Sequence, residues 1–322
     1  MTLVLLLMMP APAPARTEPA RPFLAYHASW YEPPASSGEA TTLARLPGSI
    51  THVALAFVKP DLAYAGDLAL EGTGLQYRFA GTVLKQAIAA LKARHRQIRV
   101  LLAVGGASYG GWDRLDPAAL ARLVRDLGAD GVDIDFEPAQ PACLTLAGRV
   151  RCASDADWIS HVRRLREALP RPLVVSVAGW SVGAYGEGAF ANAPPVSPWR
   201  GSMLALLRAP EAAMIDLVSI MSYDAGPAYR PLEALRAYRQ VWKGPLALGI
   251  AVLPPTDGPR VTLAGTATLL TALKPDPLAG AMLYALNLTP PGPPGPDNPD
   301  ARALASAICI TLDLAGCGTP AP

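Results

Sequence analysis

From Arg21 onward, short apolar runs alternate with stretches in which apolar residues recur at a spacing near 3.6, the mark of an amphipathic helix. The runs predict eight strands: Phe23 to His27, Ile50 to Val58, Ile98 to Val104, Gly131 to Phe136, Leu173 to Gly179, Ile215 to Tyr223, Leu246 to Val252 and Gly280 to Asn287. Helices are predicted over Thr82 to His95, Pro117 to Leu127, Ser154 to Leu169, Trp199 to Arg208, Leu232 to Trp242 and Leu263 to Leu273, with Ser154 and Asp157 resembling a capped start. Runs that are largely apolar belong to strands buried on both faces. Eight of them, most followed by a helix, predict an α/β fold, a single-domain (β/α)8 TIM barrel over residues 21–322. The competing open doubly wound sheet carries a glycine-rich phosphate loop after its first strand, whereas here that strand runs into Ala28-Ser29-Trp30-Tyr31. The Pro-rich stretch Thr289 to Pro299 reads as a loop before a last helix.

Composition narrows the function classes. Of 322 residues 51% are hydrophobic, ample for a large core, and 28 Lys and Arg against 26 Asp and Glu leave a net charge of +2. No strong field argues for nucleic acid or an anionic membrane as partner. Residues 1–20 read as a signal peptide or a disordered leader: Leu3 to Met9 is apolar and Ala11 to Ala15 offers small residues for cleavage, but no Lys or Arg precedes Arg16. Cys143 with Cys152 and Cys309 with Cys317 form two close pairs that match no zinc spacing. Two local disulfides and a secreted or periplasmic protein are the expectation, with free thiols as the alternative.

The chemistry is concentrated in Asp130-Gly131-Val132-Asp133-Ile134-Asp135-Phe136-Glu137. Alternate side chains of a strand share a face, so Asp133, Asp135 and Glu137 point one way and Val132, Ile134 and Phe136 the other. Three acids facing a barrel axis raise one another's pKa, and at least one should hold a proton near neutral pH. That makes an acid able to protonate a leaving group. A solvent-facing edge strand is the structural alternative, but a barrel has no edge. A carboxylate-bound Mg²⁺ or Ca²⁺ is a second alternative, and the sequence lacks the twelve-residue calcium loop. His27, His52, His95 and His161 are scattered, suggesting neither a metal centre nor a Ser-His-Asp triad.

These residues resemble glycoside hydrolase family 18, the chitinases and related endo-β-N-acetylglucosaminidases. The match is to its signature of Asp, Gly, apolar, Asp, apolar, Asp, any residue, Glu on the fourth barrel strand. Met221-Ser222-Tyr223-Asp224 resembles the family's Met-x-Tyr-Asp motif at the end of the sixth strand, and Gly280 to Tyr284 lies where its eighth strand falls. The resemblance implies Glu137 as general acid, Asp135 as the group orienting the substrate's N-acetyl arm, and Asp133 behind it sharing its proton. It makes Tyr223 the hydroxyl on the acetamido oxygen and Asp224 a sugar-positioning acid. Asp130 is out of phase and reads as a supporting residue.

Two departures stand out. The family's third strand commonly ends Ser-x-Gly-Gly, where this chain has Ala103-Val104-Gly105-Gly106, losing a hydroxyl for Asp133 that Tyr26 partly replaces. Tyr284 stands where most members place the tryptophan under the sugar, and a tyrosine still stacks. Trp30, Trp112 and Trp180, just past strands one, three and five, are candidate sugar contacts, while Trp158 and Trp242 read as core. Met221, Tyr26 and Asn287 complete the candidate substrate-binding set. The segment between strands seven and eight, with Pro254 to Gly258 and one helix, has no room for the family's α+β insertion, so an open cleft is expected.

The expected activity is hydrolysis of β-1,4-linked N-acetylglucosamine polymers by a monomer needing no cofactor. The chitobiose core of N-glycans, a peptidoglycan-like glycan, and a catalytically silent chitin-binding barrel remain as alternatives. Retention of Glu137 counts against the last.

Overall fold

The structure, a computed structural model, describes residues 21–253 and 260–318. The expected leader therefore lies outside the described residues, as does the segment Pro254 to Gly258. Eight parallel strands close into a barrel: β1 (Phe23–Ala28), β2 (His52–Val58), β3 (Arg99–Gly105), β4 (Gly131–Asp135), β7 (Val174–Trp180), β8 (Leu217–Met221), β9 (Leu246–Ala251) and β10 (Ala279–Tyr284), with β10 pairing back to β1. Every predicted strand forms, displaced at its ends by a few residues at most. The strands are buried along nearly their whole length, because helices cover the outside and side chains fill the inside.

The outer layer is made by α1 (Gly81–Arg94), α2 (Pro117–Leu127), α3 (Asp155–Ala168), α4 (Leu204–Arg208), α5 (Pro231–Val241), α6 (Leu263–Thr271) and α7 (Ala301–Thr311). Sequence chemistry sets the ends of α2: Asp116 accepts from the Ala118 and Ala119 N–H groups, Pro117 takes the first turn, and Gly128 closes the helix at φ 72°. Two helix expectations change. Ser154 is the residue before α3, but its hydroxyl makes no capping bond, and Asp155 instead accepts from the Cys152 N–H. The helix predicted over Trp199 to Arg208 is reduced to α4, because Gly201 adopts φ 84° and its N–H bonds the Val182 carbonyl.

Between β4 and α3 the chain adds an antiparallel hairpin, β5 (Leu144–Leu146) and β6 (Arg149–Arg151), that the sequence reading did not foresee. Its turn residues Ala147 and Gly148 both have positive φ, as a two-residue hairpin turn with the strands' own twist requires. The Cys143–Cys152 disulfide closes the hairpin at its base, and Cys309–Cys317 ties the end of α7 to the segment after it. Trp158 is fully buried under α3, and Trp242 is 7% exposed just past α5, so both are core as expected.

Candidate active site

The alternation along β4 sorts its side chains as the sequence indicates. Phe136 turns outward and packs edge-on against Trp158 and His161, while Asp133 and Asp135 face inward, buried, and Glu137 follows just past the strand. Asp135 and Glu137 emerge in a cleft of about 480 Å³ at the C-terminal end of the barrel, lined also by Trp30, Phe57, Tyr109, Trp180, Met221, Tyr223, Asp224 and Tyr284. A larger cavity of about 660 Å³ lies between α5 and α6; it touches Tyr223 and Asp224 but neither acid of β4. The chemistry is therefore in the smaller space.

Depth separates the three acids. Asp133 is wholly buried, its Oδ2 accepting from the Tyr26 hydroxyl and its Oδ1 from Ser176 Oγ. Burial raises its pKa, and these two bonds oppose the rise. Asp135, 4% exposed, has a buried Oδ1 with no partner among the described residues. Its pKa stands well above the ordinary range because of burial first, then the neighbouring charges of Glu137 and Asp133. Glu137 is pushed up to about 7 by burial, which outweighs the backbone N–H of Ala107 bonded to it. An acid titrating near neutrality beside a cleft is matched to proton transfer to a leaving group.

Aromatic rings surround the acids. Tyr223 stacks on Tyr284 with ring centroids 5.8 Å apart, Tyr284 meets Tyr26 edge-on at 5.5 Å, and Trp30 stacks on Phe57 at 6.1 Å. The Tyr223 hydroxyl, held near Met282 Sδ at 4.0 Å, has its pKa raised by burial and by Asp135, so it stays a proton donor. Flat apolar faces with few, placed polar groups suit a sugar ring.

The structure brings most of the predicted site residues together and moves three elsewhere. Trp112 is not in the cleft lining: it is 8% exposed and packs on Phe136 and His161, with centroids 5.1 and 4.8 Å away, because its ring fills the space behind β4. Asn287 spends its amide on the main chain of Ala28, donating to the carbonyl and accepting from the N–H, so it fastens the end of β1. Tyr26 lies beneath the cleft, 1% exposed, and serves Asp133. Asp130 is a supporting residue, accepting from the Val100 N–H and from Lys92 Nζ at 2.8 Å.

Phe57, Ser176 and Trp199 are among the residues that the sequence does not single out. Phe57 is inward-facing at the end of β2, a position its place in the strand pattern makes available. Ser176 and Trp199 depend on pairings between distant segments: Asp133 is in register with Ser176 on β7, and Trp199 stacks on Trp180. Nothing local in the sequence marks either.

The model of the family described as glycosyl hydrolases family 18 matches residues 23–236. No curated protein matches the chain. Among solved structures, a GH18 chitinase from Pseudoalteromonas aurantia is 19% identical, covering 90% of this chain and 100% of that one at a TM-score of 0.59. A Group IV chitinase from Ostrinia furnacalis, in complex with allosamidin, is 14% identical over 91% of this chain and 99% of that one, with a TM-score of 0.60. A chitinase from Rhizomucor miehei is 16% identical, covering 90% and 100%, with a TM-score of 0.54. At these identities the structural likeness speaks for the barrel fold.

Proposed function

The chain belongs to the glycosyl hydrolases of family 18, and from that premise we propose that it is a glycosidase cleaving the β-1,4 linkages of N-acetylglucosamine polymers, chitin above all, with retention of configuration. The observation that carries the reading is the polar geometry of the cleft. Glu137 holds a proton near neutral pH, Asp135 offers a buried, unpartnered Oδ1, and Tyr223 offers a hydroxyl in the same cleft.

Glu137 donates its proton to the glycosidic oxygen as the bond to the anomeric carbon breaks. A retaining enzyme with its own nucleophile places a second carboxylate about 5–5.5 Å from the acid and across the scissile bond, and family 18 is an exception to that rule. Asp135 ends β4 and Glu137 lies two residues further, just past the strand and in the same cleft, so Asp135 orients rather than attacks. In the proposed reaction the substrate's own acetamido oxygen attacks the anomeric carbon. Asp135 Oδ1 accepts from the acetamido N–H and Tyr223 donates to its oxygen, fixing the arm in line. Holding an internal nucleophile in line removes a barrier of roughly 7–11 kcal/mol in well-aligned systems. Glu137, now a carboxylate, then takes a proton from the water that opens the cyclic intermediate.

Trp30, Trp180 and Tyr284 serve as faces for sugar rings. Two disulfides suit an oxidising compartment, and among the described residues no helix is long and apolar enough to cross a membrane. We extend the reading to a secreted or periplasmic monomer. The test is product analysis on chitin oligomers beside a high-mannose glycoprotein: release of short N-acetylglucosamine oligomers supports chitin as substrate, and cleavage of the glycoprotein alone replaces it with N-glycans. No turnover of either, with binding retained, makes the protein a glycan-binding barrel.

A further inference from the structure

Trp199 is distant in sequence from β4, yet it touches the catalytic segment directly. Its indole Nε1–H donates to the Pro138 carbonyl at 3.1 Å, and Pro138 is the residue after Glu137. Proline has no N–H, so this carbonyl is the one main-chain handle that Pro138 offers. The face of the same indole lies on Trp180, with ring centroids 4.3 Å apart and planes 19° from parallel. Trp180 lines the cleft, and its own Nε1 is buried with no hydrogen-bond partner among the described residues, so contact with Trp199 fixes that ring where a hydrogen bond does not.

The loop that carries Trp199 is itself held firmly. Arg200, next in sequence, donates to the carbonyls of Phe190, Ala191, Ala193 and Pro195, tying four loop positions to one planar group. The Trp199 N–H is closed onto Ser197 Oγ at 3.3 Å. A rigid support of this kind transmits position, because an indole clamped on one side cannot shift without moving what it touches on the other.

We propose that Trp199 is a positioning residue that sets both the place of the Glu137 carboxyl, through Pro138, and the plane of the Trp180 sugar platform. The two actions use different parts of the side chain, the N–H for the acid and the ring face for the platform. The inference rests on Glu137 being the general acid, as proposed above.

Trp199→Phe keeps an apolar flat ring and deletes the N–H; Trp199→Leu deletes both. The experiment measures kcat and KM for chitotetraose and for a 4-nitrophenyl chitobioside, whose leaving group departs with little help from an acid. With Trp199→Phe, kcat on chitotetraose falls roughly ten- to a hundredfold, the scale on which a misplaced catalytic group loses rate, while the nitrophenyl substrate loses far less and KM hardly moves. Trp199→Leu adds a rise in KM of about two- to tenfold, the worth of a stacked aromatic pair. Unfolded molecules lower both rates by one factor, so the ratio between the substrates is independent of how much of a variant folds. Equal loss on both substrates, or no loss on either, overturns the proposal. Glu137→Gln run in parallel separates the two readings. If it leaves chitotetraose turnover unchanged, the acid assignment fails; if it alone discriminates between the substrates, the role of Trp199 fails and the acid stands.

Discussion

Ser176 Oγ donates to Asp133 Oδ1 from β7, the strand on the opposite flank of β4 from Ala103. The hydroxyl that the third strand lacks is thus supplied by the fifth strand of the barrel, and Tyr26 occupies the other oxygen of the carboxylate. Asp133 is held on both sides while remaining fully buried, which keeps its pKa from rising as far as burial alone would drive it.

Ser176→Ala should therefore weaken catalysis rather than abolish it. A hydrogen bond to a charged group is worth about 1.5–3 kcal/mol, so a loss of roughly ten- to a hundredfold in kcat/KM on chitotetraose is expected. Adding Ala103→Ser to that variant should restore part of the activity, since register places position 103 opposite Asp133. A Ser176→Ala enzyme as active as the parent would show that Asp133 needs no donor from β7.

Glu137→Gln removes the transferable proton with almost no change of shape. A loss of roughly 10²–10⁴ in kcat is expected, the usual worth of general acid catalysis. The measurement is initial rate on chitin oligomers, with melting temperature as a check that the fold survives. Activity within a few-fold of the parent would remove Glu137 from its role.

The pH profile follows from the protonation state. In the proposed role Glu137 acts when protonated, and burial places its pKa at about 7, above the ordinary carboxylate value of 4.5. The sign is that activity is present below this pKa and falls as pH rises through it. A plot of kcat/KM against pH should thus bend downward near neutrality. An alkaline limb that begins only above pH 9 would point to a different acid.

Attack by the acetamido oxygen predicts stereochemistry and substrate range together. Proton NMR of the first products should show the β-anomer, and fully deacetylated oligomers should not turn over. Asp135→Asn should lower kcat strongly, because it puts an amide, which cannot take or pass on a proton, where the buried carboxyl holds the acetamido N–H. An initial α product would exclude the mechanism even if Glu137 proved essential.

Each disulfide closes a short ring, of sequence separation 9 and 8. Non-reducing peptide mapping should recover Cys143 linked to Cys152 and Cys309 linked to Cys317. Replacing the first pair by serine should lower stability by roughly 2–3 kcal/mol, the chain-entropy scale for a small loop, with the effect centred on the hairpin after β4. Four alkylatable thiols in the native protein would exclude both bridges.

The sequence by itself determined what repeats with a local period. Apolar runs and helical spacing gave the eight strands and the covering helices, and the period of two along Asp133, Asp135 and Glu137 placed three acids on one face, because side-chain direction in a strand depends only on neighbours in the chain. The tertiary structure decided what depends on register and on space. Ser176 reaches Asp133 only because β7 pairs with β4 in one register. Trp199 reaches Pro138 only because the tertiary fold brings the segment before α4 beside the one that follows β4. Trp112 leaves the cleft because Phe136 and His161 provide a pocket behind β4 that fits its ring, and Asn287 is drawn to Ala28 because unsatisfied main-chain groups at the end of β1 need a partner there. Such choices compare free energies of contacts between residues far apart in the chain, and no local pattern of hydrophobic and polar residues encodes that comparison.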